Sequence, residues 1–85
     1  MKSFNYVITD ELGIHARPAA VLVKEAANYS SKVVIECNGK NADISKLFAL
    51  MALGVKKGDR VTVKIDGPDE DNAYMAMKKF FEEKL

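Results

Sequence analysis

Cysteine and histidine are scarce in this 85-residue sequence, which contains one of each. No disulfide can form within the chain, and Cys37 is expected to pack as a small hydrophobic residue. Because the two residues make no recognisable set of metal ligands and no glycine-rich nucleotide loop is present, neither a metal nor another cofactor is expected. Neither positive nor negative charge predominates. The formal net charge is +1 and lysines and arginines form no run, which argues against a nucleic-acid-binding protein.

The sequence also lacks a segment that would target it to a membrane or for export. No signal peptide and no apolar run of about 18 residues occurs, so membrane insertion is not expected and the cytoplasm is the expected location. Hydrophobic residues make up 48% and charged residues 29% of the chain, a balance typical of a globular protein. A chain of this length has room for one hydrophobic core, so residues 1–85 are expected to form a single domain.

Apolar residues that alternate with polar ones predict the strands of this domain. Such alternation covers residues 4–9, 32–37 and 60–66. Asn38-Gly39 is the strongest short signal for a type I′ hairpin, so a further strand is expected through Lys40 to Ile44.

Three segments predict helices. In residues 16–27, apolar side chains recur on one helical face. A shorter helix is expected between Ser45 and Gly54, which suit the N-cap and C′ positions, although the consecutive apolar residues there also fit a buried strand. A last helix follows the turn at residues 67–69, with acidic residues near its start and lysines near its end. Its buried side is expected to consist of Ala73, Met77, Phe80 and Phe81.

The element order is therefore strand, helix, strand, strand, helix, strand, helix. Because a single sheet cannot bury its own apolar face, the helices are expected to cover that face and leave the other to solvent. The fold class is α+β, an open-faced sandwich of a four-stranded sheet and three helices.

The only histidine lies directly before the first helix, in Gly-Ile-His-Ala-Arg-Pro. Pro18 suits the first turn of a helix, which places His15 at or beside the N-cap. Backbone N–H groups of that turn, at Ala16 and Arg17, lack intrahelical partners, and with the helix dipole they form an anion-binding site. A nucleophilic imidazole beside a phosphate site indicates phosphoryl transfer, whereas a lone histidine here also fits a simple cap or surface residue.

The sequence resembles HPr, the family of histidine-containing phosphocarrier proteins of the bacterial phosphoenolpyruvate:sugar phosphotransferase system. The resemblance covers essentially the whole chain and is carried by residues 13–19, 38–40, 47–51 and 53–55. It implies an antiparallel sheet and a phosphohistidine at Nδ1 of His15, assisted by Arg17. It also implies that enzyme I donates the phosphoryl group and that sugar-specific IIA domains receive it. We expect a monomeric carrier rather than an autonomous enzyme.

The short apolar helix cannot bury all of its sides in so small a domain, so part of it is expected to face partners. Leu50 and Leu53 are the core candidates. The resemblance implies that a docking surface joins this helix to the first one and to His15. Its expected residues are Ala16, Arg17, Ala20, Lys24, Leu47, Phe48 and Met51.

One position departs from the family pattern. Many Gram-positive HPr proteins carry a regulatory serine at the start of this helix, and the matching residue here is Lys46. The role does not pass to Ser45, because a shift of one residue rotates a helical side chain by about 100°.

A regulatory binding module of the same fold, acting by contact with a transcription factor or an enzyme, is the alternative function. The element His15-Ala16-Arg17-Pro18 favours the carrier, because signalling by contact alone would not need it.

Overall fold

The computed structural model describes all 85 residues and has the predicted order β-α-β-β-α-β-α. The elements are β1 (Lys2–Val7), α1 (Ala16–Ala26), β2 (Lys32–Cys37), β3 (Lys40–Asp43), α2 (Leu47–Ala52), β4 (Arg60–Asp66) and α3 (Glu70–Lys84). The segment predicted as helix or buried strand is the helix α2. The first strand has the predicted length but lies two residues earlier than the predicted 4–9, because β1 already ends at Val7 and Ile8, beyond its end, is buried in the core. None of the three helices has both the length and the apolar composition of a membrane-spanning helix.

The sheet has the strand order β1-β4-β2-β3, and every neighbouring pair is antiparallel. Val63 lies opposite Phe4 on one side and Ile35 on the other, so the register aligns apolar residues on one face. The opposite face is polar: there the hydroxyl of Thr62 donates to Asn5 Oδ1 at 2.6 Å. The helices cover the apolar face alone, which confirms the open-faced sandwich.

The core is entirely apolar, with 20 buried hydrophobic residues and no buried polar or charged ones. Phe81 of α3 is fully buried, and its ring meets those of Phe4 and Tyr6 edge to face, with centroids 5.7 and 5.9 Å apart. Cys37 is buried as expected. Burial, with a smaller contribution from Asp59, raises the pKa of the Cys37 thiol, which therefore stays protonated at neutral pH.

Two turns connect this core as the sequence predicts. Asn38 and Gly39 both have positive φ, of 54° and 79°, as a type I′ hairpin requires. Gly54, with φ of 65°, follows the C-cap of α2 and so occupies the C′ position.

The predicted N-cap of α2 is wrong by one residue, because Lys46 occupies that position and Ser45 precedes it. The Ser45 hydroxyl and backbone N–H both donate to Asp43 Oδ1, at 2.7 and 2.9 Å. This local turn at the end of β3 competes with helix capping for the serine side chain. The two hydrogen bonds lower the pKa of the Asp43 carboxyl, the hydroxyl contributing most.

Candidate functional site

The loop between β1 and α1 fixes where His15 enters its helix. Gly13 adopts a positive φ of 65° and donates its N–H to the carbonyl of Asp10 at 3.0 Å. The next residue, Ile14, is buried and donates its N–H to the carbonyl of Val55 at 3.2 Å. The chain is thereby tied to the segment after α2 immediately before it reaches His15.

His15 is the N-cap of α1, as the sequence predicts. Its backbone is extended, and its carbonyl accepts the N–H of Ala19 at 3.0 Å, the first bond of the helix. The imidazole makes no capping hydrogen bond, and the side chain is 35% exposed. The ring is therefore positioned by its backbone while both nitrogens remain without a hydrogen-bond partner in the chain.

The first turn of α1 leaves donors free beside this ring. Ala16 and Arg17 are exposed, and their backbone N–H groups make no bond within the chain. Pro18, at the third helical position, has no N–H. The Arg17 guanidinium forms no ion pair, since none of the salt bridges of the chain includes it. A phosphate here would meet two backbone donors, a free guanidinium and the positive end of α1.

The residues around His15 form an open pocket of about 290 Å³. Its lining consists of Asp10, His15, Arg17, Pro18, Val21, Phe80 and Lys84. Sequence reasoning missed four of these residues: Asp10, Val21, Phe80 and Lys84. Phe80 and Lys84 come from the end of α3, which only the tertiary fold brings to His15. Asp10 is near in sequence, yet a loop carboxylate five positions before a histidine is not a recognised signal.

Helix α2 exposes part of the expected docking surface. Phe48 is 83% exposed and Met51 37%, whereas Leu50 and Leu53 are buried in the core as predicted. Leu47 is half-buried and packs against the core, so only part of its side chain is available to the expected docking surface. The periodicity could not place Leu47, since every residue from 47 to 53 is apolar.

The expected docking residues of α1 are exposed as well. Ala20 and Lys24 are both exposed, and α1 packs against α2. Two apolar side chains near His15 are exposed: Val21, which lines the pocket, is 48% exposed, and Leu12, in the loop before α1, which sequence reasoning also missed, is 70% exposed. Apolar surface is therefore exposed both before α1, at Leu12, and within it, at Val21.

Metal ligands do not come together anywhere in the structure, because no three histidine, cysteine, aspartate or glutamate side chains form a suitable group. Lys46, at the position that matches the regulatory serine, is exposed. The hydroxyl of Ser45 is already engaged by Asp43.

Residues 2–83 match the family model described as "PTS HPr component phosphorylation site". The phosphocarrier protein HPr of Mycoplasma capricolum is 42% identical to the chain over 79 residues, which cover 93% of the chain and 89% of that protein. A solved structure of a mycoplasma histidine-containing phosphocarrier protein superposes with a TM-score of 0.93 and 39% identity, covering 96% of this chain and 93% of its own.

The catabolite repression protein Crh of Bacillus subtilis has the same fold. Its crystal structure, described as an intertwined dimer with a swapped domain, gives a TM-score of 0.78 at 32% identity and covers 100% of this chain and 98% of its own.

Proposed function

Because the chain belongs to the HPr family of the phosphotransferase system, we propose that His15 accepts a phosphoryl group from phospho-enzyme I and passes it to sugar-specific IIA domains. One observation carries this proposal: the imidazole of His15, without a hydrogen-bond partner, lies at the N-terminus of α1 beside the unpaired Arg17. The chain would act as a carrier in the cytoplasm rather than as an autonomous enzyme.

The transfer follows from this arrangement. A lone pair on the imidazole attacks phosphorus, and the bond to the donor breaks with its electron pair returning to the donor. Arg17, the free N–H groups of residues 16 and 17 and the dipole of α1 offset the negative charge of the transferring group. Because the His15 side chain is 35% exposed, an acceptor nucleophile can reach the phosphoramidate formed there and repeat the same step in the forward direction.

The test is incubation with enzyme I and phosphoenolpyruvate, followed by measurement of the intact mass. We expect a gain of one phosphate that disappears on brief acid treatment, because phosphohistidine is acid-labile. An unchanged mass, or an acid-stable gain, would contradict the proposal.

Docking to enzyme I is expected to depend on Phe48. Because its side chain is 83% exposed, Phe48→Glu should change the free energy of unfolding by no more than about 0.5 kcal/mol. Loss of a buried interface anchor costs about 2 kcal/mol or more, or roughly 30-fold in Kd. Calorimetric titration with enzyme I measures the affinity, and urea unfolding measures the stability.

Met75→Glu is the matched control for docking, because Met75 is 69% exposed but lies on α3, outside the proposed surface. It should leave the affinity unchanged. Equal weakening by Phe48→Glu and Met75→Glu would show a general charge effect and remove Phe48 from the docking surface.

Serine phosphorylation by an HPr-type kinase with ATP is not expected. Lys46 occupies the matching position, and the hydroxyl of Ser45 donates to Asp43, whose carboxylate would repel an added phosphate. Mass measurement after acid treatment, which removes phosphohistidine, should show no phosphate. Stoichiometric acid-stable phosphate on Ser45 would prove this prediction wrong.

Similarity to Crh favours a second candidate, a regulatory role through contact with a transcription factor or an enzyme. The two functions differ in their dependence on His15: a contact regulator would keep its affinity for the partner after His15→Ala. For the oligomeric state we propose a monomer, since β1 pairs with β4 of its own chain and completes the sheet.

A further inference from the structure

Asp10 holds a carboxylate beside His15. Its Oδ1 lies 3.9 Å from Nε2 of the imidazole, and both side chains are about one-third exposed, at 32% and 35%. The same Oδ1 accepts the N–H of Leu12 at 2.9 Å. The backbone of Asp10 is fixed on both sides, because its N–H donates to the carbonyl of Leu85 at 2.8 Å and its carbonyl accepts the N–H of Gly13 at 3.0 Å. The carboxylate is therefore anchored in place next to the ring.

The carboxylate of the next residue, Glu11, does not contact His15. Glu11 is 86% exposed at its side chain and pairs with Lys57 at 3.4 Å, away from the ring. Among the residues that line the His15 pocket, the charged ones are Asp10, Arg17 and Lys84, so Asp10 is the only anionic hydrogen-bond acceptor there. The two cations suit a phosphate, whereas the carboxylate suits the imidazole.

We propose that Asp10 is a positioning residue that selects the nitrogen of His15 that attacks phosphorus. A neutral imidazole carries its proton on one nitrogen and its in-plane lone pair on the other. A hydrogen-bond acceptor beside one nitrogen stabilises the tautomer that is protonated at that nitrogen. A small rotation of the ring brings Nε2–H to the carboxylate of Asp10. The proton is then held on Nε2, and Nδ1 carries the nucleophilic lone pair.

The catalytic consequence of this role rests on the proposed function, phosphoryl transfer through His15. As Nδ1 forms its bond to phosphorus, the bond from phosphorus to the donor breaks and the donor keeps that electron pair. The proton stays on Nε2, and the ring gains positive charge, which the carboxylate of Asp10 offsets. When the phosphoryl group leaves for an acceptor, the ring returns to its starting form. Neither half of the cycle needs a proton from solvent.

The tautomer is measured on the unphosphorylated protein, labelled with ¹⁵N at histidine, at a pH where the imidazole is neutral. In the native protein the Nε2 shift should be that of a protonated nitrogen and the Nδ1 shift that of an unprotonated one. Asp10→Ala should move both shifts toward the values of a mixture. Asp10→Asn, which keeps an acceptor oxygen for Leu12 and for the ring, should restore them in part.

Glu11→Ala is the matched control, because it removes the same charge from the adjacent residue and should leave both shifts unchanged. Phosphorylation by enzyme I should slow about two- to tenfold in Asp10→Ala and stay at the native rate in Glu11→Ala. Native shifts in Asp10→Ala, or a native ring protonated on Nδ1, would overturn the assignment. The shifts require no phosphate, so they test Asp10 even if His15 proves not to be phosphorylated.

Discussion

His15→Ala is expected to fold normally and to accept no phosphoryl group from enzyme I and phosphoenolpyruvate. The side chain is 35% exposed and makes no capping hydrogen bond, so its loss should change the free energy of unfolding by at most about 0.5 kcal/mol. The loss of labelling should be complete, because no other histidine is present in the sequence. Intact mass measurement checks the labelling, and urea unfolding checks the fold.

The native protein, treated in parallel, controls for the activity of enzyme I. Acid-labile phosphate on the folded His15→Ala variant would remove His15 from the mechanism. A variant that fails to fold would instead assign the imidazole a structural role, which its exposure and lack of hydrogen bonds do not support.

Gly13→Ala is expected to cause a large loss of stability. A Cβ at this position would overlap the carbonyl oxygen of Val55 and lie 2.8 Å from Cα of Lys56. Backbone atoms cannot move aside as a flexible side chain does, so the loop must shift and the hydrogen bond from Ile14 to Val55 is lost. Together with the strain of a positive φ, we expect a cost of about 3 kcal/mol, measured by urea unfolding.

Gly54→Ala separates the clash from the strain. Gly54 has the same φ of 65° as Gly13, but no atom lies within 4 Å of the added Cβ. It should therefore cost only the conformational strain, about 1 kcal/mol. Equal losses in the two variants would show that the contact with Val55 is relieved without cost and that the loop is more adaptable than its hydrogen bonds indicate.

The fold could be predicted from the sequence because its signals are local and agree with one another. Alternation in β4 and β2, the Asn38-Gly39 turn and the apolar face of α1 each define one element. Once strands and helices are placed, burial of the single apolar sheet face leaves few arrangements. The exposure of Phe48 was harder to predict from the sequence, because it depends on which side of a wholly apolar helix packs against the sheet.

The site could be predicted only in part, since its residues come from distant parts of the chain. His15 and Arg17 share one helical turn, so their proximity follows from spacing. Phe80 and Lys84 reach the same pocket because of the way α3 crosses the sheet, and no short pattern specifies that crossing. The N-cap prediction for Ser45 failed for a different reason. A serine hydroxyl suits both a helix N-cap and a local turn, and here it donates to Asp43 instead of capping α2.

The pairing of β1 with β4 has a consequence for the time course of folding. Val7 pairs with Arg60, so these strands meet only after a long loop has closed, whereas the β2–β3 hairpin closes across two residues. The loop that carries Asp10 follows β1, whereas Phe80 and Lys84 of the same pocket belong to α3, which is synthesised after all four strands. A nascent chain that has not yet reached α3 thus carries its histidine but lacks a finished pocket, so the phosphate site proposed at His15 is complete only after α3 has folded onto the sheet.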